Sequence, residues 1–77
     1  MKRSPITGKR YNIFSRDILH LVNLDQCAYY IEEWDLVPLD IVLSEDRNRP
    51  GKKIVVFIFD KDDTKDAYAA WMARKDG

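Results

Sequence analysis

The residues best placed to do chemistry in this sequence stand at the end of one apolar run. Ile54-Val55-Val56-Phe57-Ile58-Phe59 leads directly into Asp60-Lys61-Asp62-Asp63-Thr64. Carboxylates at this density can hold a cation or share nucleophilic and acid–base work. An EF-hand calcium loop needs acids at alternating positions, a central glycine and a glutamate at its twelfth position. No glycine stands here, so that reading is rejected. Gly8-Lys9 is not a phosphate-cradling loop, since no glycine stands four residues ahead of a Gly-Lys-Ser/Thr and no strand precedes it. His20 is the only histidine, and no partner base or nucleophile is placed for it. Cys27 is the only cysteine and falls in an apolar stripe, the setting of an inert buried thiol.

The acidic run resembles the first motif of haloacid-dehalogenase-type phosphatases, an apolar strand followed by DxDxT. That resemblance implies Asp60 as nucleophile and Asp62 as general acid. It is confined to residues 54–64. The family's chemistry also needs a later serine or threonine, a lysine and an acidic magnesium site on further parallel strands. Only residues 65–77 remain, and they read as one helix. A phosphoaspartyl mechanism cannot be assembled without those parts. The run is therefore read as a strand-to-helix turn whose acids cap the last helix. No catalytic residue, metal ligand or cofactor is assigned, and the chain is not expected to be an enzyme.

The elements that would carry these residues follow from periodicity. Asp17–Val22 suits a strand, and Asn23 is a good N-cap for a helix behind it. Leu24, Cys27, Ala28 and Ile31 recur at helical spacing, and Trp34 extends the stripe. A rival parsing caps a longer helix at Ser15 and runs it to Trp34, but its apolar face drifts. Pro38 stops the helix. Leu39, Ile41 and Leu43 then alternate with polar neighbours, as in a half-buried strand. A turn over 46–52, with Pro50 and Gly51, joins that strand to the run at 54–59 as an antiparallel hairpin. Asp62 or Asp63 is expected to cap the last helix, which buries Ala67, Tyr68 and Trp71, with Met72 as a further candidate. The predicted fold is α+β, in the order β-α-β-β-α, a small antiparallel sheet with two helices on one face. Residues 1–10 are expected as a flexible basic arm, and 11–77 as the single domain.

The run at 54–59 is apolar on both faces, whereas a sheet covered on one face should alternate with polar residues. The helices can cover one face. The other could be covered by Tyr11, Ile13 and Phe14, or left for a partner chain. Those three side chains are few for a three-stranded sheet, so a homodimer or a protein partner is expected through the bare face. Val55, Phe57, Phe59, Asp60, Asp62 and Asp63 are the candidate protein interface.

The 77 residues hold 13 basic and 13 acidic groups, so net charge points to neither nucleic acid nor membrane. Their distribution is less even. Lys2, Arg3, Lys9 and Arg10 load the arm, and Arg47, Arg49, Lys52 and Lys53 load the hairpin turn. These eight are candidate nucleic-acid contacts, able to straddle a phosphate backbone. The plainer alternative is a solvated tail and turn that discourage edge-to-edge aggregation. A single cysteine fits a reducing cytoplasm, and no apolar run is long enough for a membrane span.

Residues 24–31 (LDQCAYYI), a strand, a basic turn and KKIVVFIFDKDDTKDAYAAW together resemble short uncharacterised domains of phages and bacterial mobile elements. The similarity covers about residues 17–72 and carries no catalytic residue across. It implies a small accessory protein, among which inhibitors of host defence are common. The expected function is thus a non-catalytic interaction module that binds a host protein, with a nucleic-acid-binding module as the alternative.

Overall fold

Three strands pair around the apolar run and set the rest of the chain in place. The computed structural model describes residues 1–75; Asp76 and Gly77, the last two residues of the expected domain, lie outside them. In chain order the elements are β1 (Lys2–Arg3), β2 (Arg10–Tyr11), β3 (Ile18–Leu21), α1 (Leu24–Trp34), β4 (Asp40–Glu45), β5 (Lys53–Asp60) and α2 (Lys61–Lys75). β5 is the centre of an antiparallel sheet ordered β3-β5-β4. Leu19 and Leu21 lie opposite Phe59 and Phe57, while Val42 and Leu43 lie opposite Val56 and Val55. The small α+β architecture is the predicted one, with the β1–β2 hairpin added.

Local chemistry explains the element ends. The Asn23 side chain accepts from the Gln26 N–H at 3.2 Å and caps α1 as anticipated. α1 stops at Asp35, which takes the left-handed conformation at φ 52° while Leu36 N–H donates to the Tyr30 carbonyl. Gly51, at φ 86°, supplies the positive φ of the 46–52 turn. That turn closes with Asp46 N–H donating to the Lys52 carbonyl at 2.9 Å.

The last helix starts earlier than expected. Lys61 N–H donates to the Asp17 carbonyl at 2.7 Å, and this bond ends the β3–β5 ladder. The capping carboxylate is consequently Asp60, whose Oδ1 accepts from Asp62 N–H at 3.1 Å. Asp62 and Asp63 sit inside the first turn, where their charge suits the positive end of the helix dipole.

The two sheet faces have separate covers. Phe57 and Phe59 face the helices, in a core of Cys27, Tyr30, Ala67 and Trp71. Tyr30 meets Phe59 edge-on at 5.7 Å, and Tyr29 of α1 meets Trp71 of α2 at 5.4 Å. The buried side of α1 is Gln26, Cys27 and Tyr30. This is rotated from the expected stripe, and Leu24, Ala28 and Ile31 are exposed. Val56 and Ile58, on the other face, are buried against Tyr11 and Leu39, with Ile13, Ile18 and Val42 beside them.

The expectation of a bare second face is thereby corrected. Residues 1–10, expected as a flexible arm, form a hairpin that lies against it. Lys2 pairs with Tyr11 and Arg3 with Arg10. Ser4 is buried, its hydroxyl donates to the Leu39 carbonyl, and it accepts from Thr7 N–H at 2.8 Å. Two of the three expected side chains, Tyr11 and Ile13, suffice because Leu39 itself turns inward and shares the cover. Phe14 takes no part, being 93% exposed.

Candidate protein interface

The uncovered apolar surface is on the helical side of the sheet, beyond the reach of both helices. β4 is an edge strand. Its odd-numbered residues share a face with Val55, Phe57 and Phe59, because opposed residues in an antiparallel ladder point the same way. Ile41 is 47% exposed, Leu43 66% and Val55 37%. Leu43 and Val55 are direct cross-strand partners, so they form one continuous patch.

The flank of α1 turned away from α2 extends this patch. Tyr29 marks the side that meets α2. Leu24 and Ile31 fall on the opposite flank of the helix and are exposed, as is Trp34 at its end. Val22, Leu24 and Val55 also line a shallow concavity of about 830 Å³ at the turn end of the sheet, shared with the end of β4 and the first residues of the 46–52 turn. A strip rimmed by polar residues in this way is the usual form of a docking surface.

The six residues expected at a protein interface do not come together. Val55 belongs to the strip just described, whereas Phe57 is partly buried and packs against the core under the helices. Phe59 is 1% exposed at the centre of the core and offers no surface. Asp60 is half-buried, and Asp62 and Asp63 are exposed at the start of α2, at the other end of β5 from Val55. Ile41, Leu43, Leu24 and Ile31 were not anticipated as surface. The signal for Ile41 and Leu43 was present as the alternation of 39–43, but alternation does not say how many strands a helix spans.

Asp60 is engaged twice. Besides capping α2, its Oδ2 is 3.2 Å from Lys9 Nζ. That hydrogen bond and the carboxylate charge raise the Lys9 pKa above its ordinary value. Thr64, the last position of the DxDxT pattern, is buried, and its hydroxyl donates to the Lys61 carbonyl at 2.9 Å. Burial pushes the Cys27 thiol up to about 11, so it is protonated at neutral pH. His20 Nε2 lies 3.2 Å from the Ile13 carbonyl, a contact that ties β3 to the covering segment.

All eight candidate nucleic-acid contacts are exposed. Among the described residues, Lys9 forms an ion pair and the other seven form none. They make two clusters rather than one. Lys9 is anchored at the Asp60 end of β5, and Lys53 begins the same strand beside the turn. Seven strand steps, about 23 Å, separate those ends.

Among the described residues, no three His, Cys, Asp or Glu side chains converge as metal ligands, and no helix is long and apolar enough to cross a membrane. Compared with family models, with curated proteins and with solved structures, the chain matches none.

Proposed function

We propose that this domain is a non-catalytic protein-interaction module that docks through the strip formed by Ile41, Leu43, Val55, Leu24 and Ile31. The observation that carries this reading is the exposure of Leu43 at 66% beside its cross-strand partner Val55, on an edge strand whose helical face is left bare by both helices. Burying such a strip against a partner removes apolar surface from water, worth roughly 25 cal/mol per Å² before the costs of association. The catalytic reading finds less support. Asp60 already serves as a helix cap and as the partner of Lys9, and Asp62 and Asp63 complement the helix dipole.

The resemblance of residues 17–72 to phage and mobile-element domains supports an accessory role, with a host protein, such as a defence component, as the target. The single buried thiol suits a cytoplasmic setting. A second reading, nucleic-acid binding, is favoured by one observation, the seven basic side chains free of ion pairs. Against it, the basic residues divide between opposite ends of the sheet, and neither cluster carries an exposed aromatic platform among its own residues.

Affinity for mixed-sequence DNA or RNA, titrated against salt, separates the two readings. Each phosphate neutralised contributes a slope of roughly −0.9 in log K against log salt on duplex DNA. The protein-docking account predicts no binding above the non-specific range. A slope of several phosphates, reduced by Arg47→Ala and Arg49→Ala, would move the function to the basic residues.

A further inference from the structure

We propose that β4 pairs with β4 of a second copy of this chain, as an antiparallel edge-to-edge dimer centred on Val42. The proposal rests on the reading of the strip as a docking surface and names its first partner.

Backbone phase is the starting point. Asp46 N–H donates to the Lys52 carbonyl, and these residues are opposed across the turn. Hydrogen-bonded pairs alternate along an antiparallel ladder, so the even residues of β4 bond to β5. The odd residues, Ile41, Leu43 and Glu45, direct their N–H and C=O groups out of the sheet edge. One outward donor is occupied locally, with Ile41 N–H donating to Asp40 Oδ1 at 2.8 Å. The exposed Leu43 amide has no such side-chain acceptor. An edge of this kind is a template for another strand.

Phase also limits the register. Outward-facing odd residues must oppose odd residues of the second copy. With Val42 on the two-fold axis, Ile41 opposes the second copy's Leu43, and Asp40 opposes its Ser44. Sliding two residues toward the turn would bring Asp40 against Asp46 of the other chain, a like-charge pair. Sliding the other way shortens the overlap. The centred register joins two three-stranded sheets into one of six strands. It sets the Ile41, Leu43 and Val55 strips of both copies side by side as one floor.

Area supports a second copy as the occupant. The chain exposes 5900 Å². Surface scaling for a monomer of 9.1 kDa gives about 4,900 Å². The excess, about 1,000 Å², is comparable to the roughly 800 Å² that one partner buries in a standard interface.

The test combines sedimentation of the native chain with cross-linking. At micromolar concentration the native chain is expected at twice 9.1 kDa. In the proposed register the two Val42 residues form a non-hydrogen-bonded pair with Cα atoms about 4.5 Å apart, within disulfide range. Val42→Cys under mild oxidation should therefore become a covalent dimer. Ser44→Cys should not, since its two copies lie about 13 Å apart along the strands. The native Cys27 is buried and does not compete. Equal cross-linking of both variants would overturn the register. A strictly monomeric native chain would overturn the dimer. If that monomer still binds an apolar-surface dye in a Leu43-dependent way, the docking surface stands without the second copy. If it binds none, both readings fall.

Discussion

Phe59→Ala is expected to remove a large share of the domain's stability and to lower its melting temperature steeply. Phe59 is 1% exposed and stands where both helices meet the central strand. It is edge-on to Tyr30 and stacked with Phe57 at 6.4 Å. Truncating a buried phenylalanine to alanine costs about 3–5 kcal/mol, because the helices cannot collapse fully into the void. A chain of 77 residues has a total stability of only about 4–12 kcal/mol. Phe14→Ala is the matched control, since Phe14 is 93% exposed and in neither core. Circular dichroism through thermal melting should show Phe59→Ala lowered by more than about 12 °C and Phe14→Ala unchanged. Equal behaviour of the two would mean that the helices do not pack where described.

Tyr11→Ala is expected to have the second largest effect, about 3 kcal/mol of destabilisation. Tyr11 is 5% exposed and covers Val56 and Ile58 on the face away from the helices. Burial, with Asp40 beside it, holds its phenol above the ordinary value of 10.0. Its hydroxyl reaches Asp40 Oδ2 at 3.5 Å, a long contact of small energetic weight. Tyr11→Phe should therefore cost well under half as much as Tyr11→Ala. Both substitutions would be neutral if the 11–14 segment lay free of the sheet. Urea titrations of the two variants decide the matter, since a shift in midpoint at constant slope reports stability alone.

The parts of this fold that were legible in the sequence are those fixed by near neighbours. Asn23 stands before an apolar stripe, and a side-chain oxygen there has only the first-turn amides to accept from. Pro50 and Gly51 sit between two strand-like runs, and the hairpin follows from that spacing. The misplaced parts depend on contacts distant in sequence. Three acids follow the apolar run, and any of them could cap a helix. Asp60 does so because the Lys61 amide bonds to Asp17, more than forty residues away in the chain. The buried side of α1 turned toward Tyr30 because that ring meets Phe59, while Ala28 has little area to contribute. Ser4 gave no local sign of burial. Its role follows from the Leu39 carbonyl, which only the folded sheet presents to it.

The exposed apolar strip, the proposed docking surface, shows the same division. Six consecutive apolar residues announced that both faces of β5 need cover. They could not announce which cover falls short. The covering segment reaches across its face with Tyr11 and Ile13, and the inward turn of Leu39 completes it. The helices, held together by the Tyr29–Trp71 contact, stay over β3 and β5 and leave β4 open. The exposed patch is thus on the face with more cover in total, at its uncovered edge.

The strip around Leu43 is the surface proposed to meet a partner. Titration of an apolar-surface fluorescent dye into the native protein and into Leu43→Lys tests it most directly. Leu43 is 66% exposed, so the lysine should leave the melting temperature unchanged within a few degrees. Dye binding by the folded native protein, and loss of most of that binding in Leu43→Lys, is the expected result. Absence of binding by the native protein, or full binding retained by the folded variant, would contradict it.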